Sequence, residues 1–324
     1  MPEGMKVATT VDACLTWDYG SASPRLLRLY ERAKQGQWNA TTDVDWSTEV
    51  EFGSPLPDDS YFAVASFESS PLARRGRRLW DTFRWELQSW MVSQFLHGEQ
   101  GALVVASRLV ETVPDLDSKI YAASQVVDEA RHVEVFSRYL REKVPNPYPI
   151  SVSLHELLED ILADSRWDVI ALGMQIMVEA LAMAAFRLAK STFHDDLIRD
   201  ITRLVARDEA RHVSFGVLSL EGLYRQLTSV ERADREDLVL EAASLIRRRF
   251  LLEDVWQRLD VSRDAGVAYA ATDELMAQYR KAIFSRVISA LCRIGLLTPR
   301  VRKGLSDLDL LGFSSARVVS AASD

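Results

Sequence analysis

Two glutamate–histidine pairs carry the strongest chemical signal in this sequence. The pentapeptide Asp128-Glu129-Ala130-Arg131-His132 recurs as Asp208-Glu209-Ala210-Arg211-His212. A glutamate and a histidine three residues apart on a helix share one face, so each pair offers a carboxylate and an imidazole to one metal ion. Two such pairs need further anionic ligands to balance two cations, and Glu99 and Glu179 can supply them. Glu99 precedes Glu129 by the same 30 residues that separate Glu179 from Glu209. Two antiparallel hairpins of equal length would bring four glutamates and two histidines to one level. Glu99 sits among Phe95, Leu96, Ala102, Leu103 and Ala106, and Glu179 among Leu172, Ile176, Val178, Ala182, Met183 and Phe186. An ionised glutamate in such surroundings is costly unless a cation pairs with it. Oxygen-rich ligands with imidazole and no thiolate suit iron or manganese better than structural zinc.

The flanking residues fit a supporting role. Asp128 and Asp208 precede the paired glutamates, and each can accept a hydrogen bond from the free ring nitrogen of a ligand histidine, which fixes its tautomer. Arg131 and Arg211 can pair with those aspartates across the bundle. The plainer alternative is that these are helix-surface ion pairs, which are common and weak. The remaining histidines are poorer candidates. His97 points away from the face of Glu99, while His155 and His194 fall near helix ends as capping or solvent groups. No glycine-rich phosphate loop and no nucleophile elbow is present.

These side chains must be positioned by helices. From about residue 72 the apolar residues recur with helical period. Four main helices are expected, near Arg77–Val113, Asp115–Lys143, Asp168–Phe193 and Asp195–Leu227. Pro114, Pro145 and Pro147 act as stops. Shorter helices are expected near Leu26–Gln35 and Ser153–Ala163, with two more near Val230–Leu259 and Thr272–Ile294. The fold class is all-α, a four-helix bundle with additional helices. Residues 1–71 form a loop-rich lead-in packed on the bundle, residues 72–313 the helical domain, and residues from 314 on a flexible tail.

Composition narrows the function classes. The net charge is −8 without a basic run, which disfavours nucleic acid as a partner. Two distant cysteines, Cys14 and Cys292, make neither a disulfide framework nor a zinc pattern, and a reducing cytoplasm fits them. No signal peptide is expected at the start. No apolar stretch is expected to reach membrane-span length, because the candidates are interrupted by Arg, Glu or Gln.

A glutamate from each of two helices plus Glu-x-x-His from each of two others is the arrangement of di-iron and di-manganese carboxylate bundles. On these residues the sequence resembles the ferritin-like di-iron carboxylate superfamily. The doubled Asp-Glu-x-Arg-His resembles the hydroxylase subunits of bacterial multicomponent monooxygenases. The Gly98-Glu99 context is similar to the ribonucleotide reductase small subunit and its related ligand-binding oxidases. The stretch from Trp38 to Trp46 resembles the lead-in of those proteins, and the likeness spans roughly residues 36–225. It implies that Glu99, Glu129 and His132 hold one metal and Glu179, Glu209 and His212 the other. Glu129 and Glu209 would bridge, with Trp38 nearby. It also implies two iron ions or a manganese/iron pair, with dioxygen as co-substrate. An external electron donor such as a ferredoxin or reductase, and a homodimer, complete the expectation.

Departures from those families matter. Phe136 stands where radical-generating subunits carry a tyrosine. Gly101 and Met174 stand where the ligand-binding oxidases carry the residues of a valine–tyrosine cross-link. Met183 replaces the threonine of the multicomponent monooxygenases. The function expected is a dinuclear metal oxidase or oxygenase that activates dioxygen to oxidise a small organic substrate, lodged near Phe136, Met174, Gln175, Ala182, Met183 and Phe215. Two alternatives stay open. One is a manganese/iron ligand-binding oxidase or oxidant-generating subunit, the other a non-enzymatic ferritin-like protein that handles iron.

Overall fold

The computed structural model describes residues 5–20, 23–57 and 64–312. Helices dominate, and no strand occurs among the described residues. In chain order they are α1 (Pro24–Gln35), α2 (Arg77–Thr112), α3 (Leu116–Lys143), α4 (Val152–Ala163) and α5 (Trp167–Ala171). A π-helical segment, Leu172–Glu179, runs on into α6 (Ala180–Thr192). Next come α7 (Asp196–Leu220), α8 (Ser229–Arg249), α9 (Glu253–Arg258), α10 (Arg263–Thr272), α11 (Glu274–Ile294) and α12 (Pro299–Asp307).

The bundle is built from two hairpins, α2 with α3, and the α5–π–α6 rod with α7. Both turn on an aspartate. Asp115 caps α3 by accepting from the Ser118 amide at 2.8 Å, and Asp195 caps α7 by accepting from the Ile198 amide at 2.9 Å. A capping side chain satisfies one of the free amides at a helix start, which fixes where each helix begins. The second oxygen of Asp195 also accepts from Gln88 and from the Tyr139 hydroxyl, both at 2.7 Å. That buried knot ties α2 and α3 to the start of α7. Helix α1 lies across α3 and α7, bringing the lead-in against the twin motif. Helices α8 and α11 cover the rod from outside.

Several expectations need correcting. The rod Trp167–Thr192 does reach membrane-span length, with a mean hydropathy of 2.0 over its most apolar window. Of that window 89% is buried inside the bundle. It is apolar because it is covered on nearly every side by other helices. The helix expected to reach Leu227 stops at Leu220, where Gly222 takes a positive φ of 87°. The single helix expected over Val230–Leu259 breaks after Arg249, because Leu252 adopts φ 58°. The helix expected to start at Thr272 starts at Glu274, capped by Asp273, and α10 precedes it. Helix α12 lies where no helix was expected. The tail expected from residue 314 lies outside the described residues.

Candidate metal centre

Six side chains from four helical segments meet in the bundle interior. Glu99 comes from α2, Glu129 and His132 from α3, Glu179 from the end of the π segment, and Glu209 and His212 from α7. All are at least 96% buried. One ligand atom each from Glu99, Glu129, His132 and Glu209 lies within 4.8 Å of the others, and so do atoms of Glu129, Glu179 and His212. Glu129 belongs to both groups. Its Oε2 is 3.3 Å from His132 Nδ1, and its Oε1 is 3.0 Å from His212 Nδ1. Glu209 Oε1 also lies between the histidines, 3.3 Å from His132 Nδ1 and 3.7 Å from His212 Nδ1.

Hydrogen bonding does not satisfy this cluster. Glu129 Oε2, Glu179 Oε2, both Glu209 oxygens and His212 Nδ1 are sealed from solvent without an aligned partner. Buried polar atoms of this kind are rare and call for an explanation such as an ion. Charge makes the same point. Fully ionised, the four glutamates and the buried Asp128 and Asp208 would carry six negative charges. Arg131 and Arg211 return two, leaving a deficit equal to two divalent cations. Burial drives the Glu99 and Glu179 carboxyls well above their ordinary range, with the Glu209 charge adding to it. Burial also opposes ionisation of Glu129, but the two histidines outweigh it and hold that group well below the ordinary range. Burial acts against charge on His132 and His212 too. It is overcome by Glu99 at His132 and by Glu129 at His212, and both imidazoles are pushed well above their ordinary value. Protons here stand where cations would neutralise the same charges.

The supporting residues cross over between hairpins. His132 Nε2 lies 3.2 Å from Asp208, and His212 Nε2 lies 3.2 Å from Asp128. Each aspartate thus serves the histidine of the opposite motif. Such a contact turns Nδ1 inward, toward the glutamates. Arg131 donates to Asp128 at 2.6 Å and to Asp208 at 2.8 Å, and Arg211 bonds the same two aspartates. These are buried bridges between hairpins, unlike the surface pairs of the plainer alternative. Trp38 donates its indole N–H to Asp208 at 2.8 Å, and Arg131 stacks over its ring.

Two residues missed in the sequence belong to the site. Gln125 donates to Glu129 at 3.1 Å and to Glu179 at 2.8 Å. Gln37 donates to Asp128 at 2.9 Å and accepts from Arg131 at 2.7 Å, matching Trp38 on the other aspartate. The position of Gln125, one helical turn before Glu129, was the available signal. His97 contacts the Tyr148 carbonyl at 3.1 Å, and His155 sits outside beside Glu159. His194, expected as a capping or solvent group, instead packs edge-on against Trp85.

A narrow cavity of about 30 Å³ reaches Glu99, Glu179 and Glu209, lined also by Gln94, Phe95, Ala182 and Arg249. Of the six residues expected around a substrate, Ala182 lines it and the other five do not. Phe136 stacks on Phe186, Phe215 packs tilted against Tyr121, and Met174 and Met183 are buried. Gln175 is buried with neither amide atom hydrogen-bonded.

Among solved structures, the chain is similar to R2-like ligand-binding oxidases. One mutant with an anaerobically reconstituted Mn/Fe cofactor matches at 16% identity and TM-score 0.49, over 86% of this chain and 94% of that one. Another, aerobically reconstituted, matches at 17% and 0.48 over the same shares. No curated protein matches the chain. The family model described as p-aminobenzoate N-oxygenase AurF matches residues 21–295. With that match over most of its length, the chain belongs to the AurF family of N-oxygenases.

Proposed function

We propose that this oxidoreductase is a dinuclear iron oxygenase in which Glu99, Glu129 and His132 hold one ion and Glu179, Glu209 and His212 the other. Glu129 and Glu209 would bridge the two. The observation that carries this reading is the convergence of four buried glutamates and two histidines, among whose atoms Glu129 Oε2, Glu179 Oε2, both Glu209 oxygens and His212 Nδ1 lack hydrogen-bond partners. Membership of an oxygenase family sets aside the iron-handling alternative. The family's name describes N-oxygenation of p-aminobenzoate, and we carry over monooxygenation of a small amine as the reaction class. A manganese/iron pair is the alternative loading of the same ligands. The cytoplasmic location, external electron donor and homodimer expected from the sequence stay part of this proposal. A monomeric mass in solution would remove the last.

When bound, the metal pair supplies the redox chemistry that activates dioxygen. The protein's own residues do the rest. Asp128 and Asp208 fix the histidine tautomers and hold Nδ1 toward the carboxylates. Arg131 and Arg211 neutralise those aspartates, so the added charge stays on the glutamates. Gln125 orients Glu129 and Glu179 through one amide. Phe95, which lines the cavity, packs edge-on against Phe186 and tilted against Phe136, and this aromatic cluster backs the cavity with apolar surface.

Metal analysis of variants tests the assignment. Glu129→Ala and Glu209→Ala should each lose the metal pair, whereas His155→Gln should keep it. Two metals per chain in either alanine variant would refute the ligand set, and loss in the His155 variant would mean that other histidines bind.

A further inference from the structure

The buried side of α3 differs between its two ends. Beyond His132 the enclosed residues are Val135, Phe136, Tyr139 and Leu140, and the one hydroxyl among them donates to Asp195 at 2.7 Å. Before Glu129, steps of one helical turn fall on Gln125, Tyr121 and Asp117, and all three are buried. The row ends in the first turn of α3, where Asp117 accepts from the Ser23 amide at 2.8 Å and keeps 9% exposure to solvent. At its inner end Gln125 donates to Glu129 and Glu179.

The protein does not complete the hydrogen bonding of this row. Unlike Tyr139, Tyr121 keeps its hydroxyl sealed in the core with no hydrogen-bond partner among the described residues. The same holds for Gln125 Oε1 and for both amide atoms of Gln175, one turn before Glu179. Tyr121, Gln125 and Gln175 are completely buried. Two of them meet α7 at neighbouring residues. The Tyr121 ring centre lies 4.6 Å from that of Phe215, and a Cβ on Gly216 would come within 2.5 Å of Gln175 Cβ. Gln125 is held to the same region through Glu179. Unpartnered donors and acceptors gathered in one layer are expensive, and such groups in native proteins have a partner other than protein. Water fits them, since it donates and accepts, and a buried water takes up several polar groups at once. None of the three residues lines the narrow cavity that reaches Glu99, Glu179 and Glu209, so the layer lies off that path.

We propose that Tyr121, Gln125 and Gln175 hold buried water beside the metal ligands, and that with Asp117 at the outer end they form a route carrying protons from solvent to the centre. This rests on the proposed oxygenase activity for the use of the protons, but not for the water itself. Monooxygenation of an amine by dioxygen takes two electrons from the external donor and two protons, and releases one water with the N-hydroxylated product. A closed apolar bundle needs an entry for those protons. The route works by relay. A proton arriving at Asp117 passes inward through water and the Tyr121 hydroxyl, which gives up its own proton as it takes the next. Burial holds that phenol far above its ordinary range, so it stays protonated between turnovers. Gln125 and Gln175 orient the water and carry no proton. All four are positioning or relay residues, and none touches the substrate.

Metal-free protein tests the water. Tyr121→Phe and Gln175→Met keep the native shape and remove hydrogen-bonding groups. Each should melt below wild type, because the water loses a partner. Deleting a group that has no partner would leave the melting temperature equal or raise it, and that result overturns the water site. A crystal structure should show water within hydrogen-bond reach of the Tyr121 hydroxyl and the Gln175 amide, and a dry layer there overturns it too. Metal-loaded protein tests the route. The reduced protein is mixed rapidly with dioxygen in H2O and in D2O. Tyr121→Phe and Asp117→Asn should slow its oxidation about tenfold or more, with a larger solvent isotope effect and unchanged metal content. Asp117→Glu, and Glu134→Gln at an exposed acid of the same helix, should react as wild type. A wild-type rate and isotope effect in either slowed variant overturns the route. Absence of metal in wild type would instead sink the oxygenase reading, and the metal-free melts would still decide the water site.

Discussion

His194 packs its ring against Trp85 in the turn before α7, and burial, with Arg84 and Arg199 nearby, lowers its imidazole to about 4. In the unfolded chain the same group titrates near 6.5. Its neutral form is favoured in the fold, so the contribution is complete above about pH 6.5. It is lost as pH falls toward 4, because there the unfolded chain binds a proton that the folded chain refuses. The loss is at most about 3 kcal/mol. Urea unfolding of wild type and His194→Gln at pH 7 and pH 4.5 should show a steeper decline in wild type, and parallel declines would dismiss the effect. Residues differ in how openly they announce themselves. The six proposed ligands were legible because only a few residue types bind such metals, and because helical spacing and a repeated frame limit where they fall. Gln125 and Gln37 were not. An amide on a helix is ordinary, and both act through contacts 54 and 91 residues away in sequence.

At the scale of elements, Glu179 depends on the π segment Leu172–Glu179 that ends with it. An extra residue in a turn rotates the rest of the helix, and such segments persist where packing holds them. Gly216 on α7 is one such hold. A Cβ there would come within 2.5 Å of Gln175 Cβ, an atom that cannot swing away. Gly216→Ala should therefore cost about 1–3 kcal/mol and lower metal occupancy by pushing the segment off α7. Gly98 offers the contrast, because a Cβ there meets nothing within 4 Å. Gly98→Ala should be neutral or stabilising by up to about 1 kcal/mol. Thermal melts with metal analysis check both, and a Gly216 variant as stable and as loaded as wild type would show that the segment does not need that contact. The main helices were legible from apolar period and proline stops, and Asp115 and Asp195 mark starts that sequence rules foresee. The π segment was not, because one added residue per turn leaves no mark in composition. The breaks at Gly222 and Leu252 depend on backbone conformations that the sequence permits without requiring.

At the scale of the whole molecule, two demands act on the same interior. The bundle must be dry to exclude water from the chemistry, and it must hold six negative charges there. Without metal, protons on the histidines and on Glu99 and Glu179 meet that charge in part, at the cost of keeping polar atoms unpartnered. The apolar core does not share this dependence. It runs through α1, the bundle, and the outer helices to Leu310, with residues such as Trp90, Trp256, Tyr139 and Phe284 almost wholly enclosed far along the chain. Metal should therefore tighten a bundle that already folds, rather than nucleate it. Ligands that bind only the folded state stabilise it by about 2.7 kcal/mol at a hundredfold excess over Kd. For a chain of 324 residues that is a melting shift of roughly 4 °C. Chelation should lower the melting temperature by this order while the helical circular dichroism at room temperature stays as it was. Collapse of the helical signal on chelation would show that the metal, and not the core, organises the bundle. An unchanged melting temperature, with metal removal verified, would mean that the buried carboxylates were never paired with cations at all.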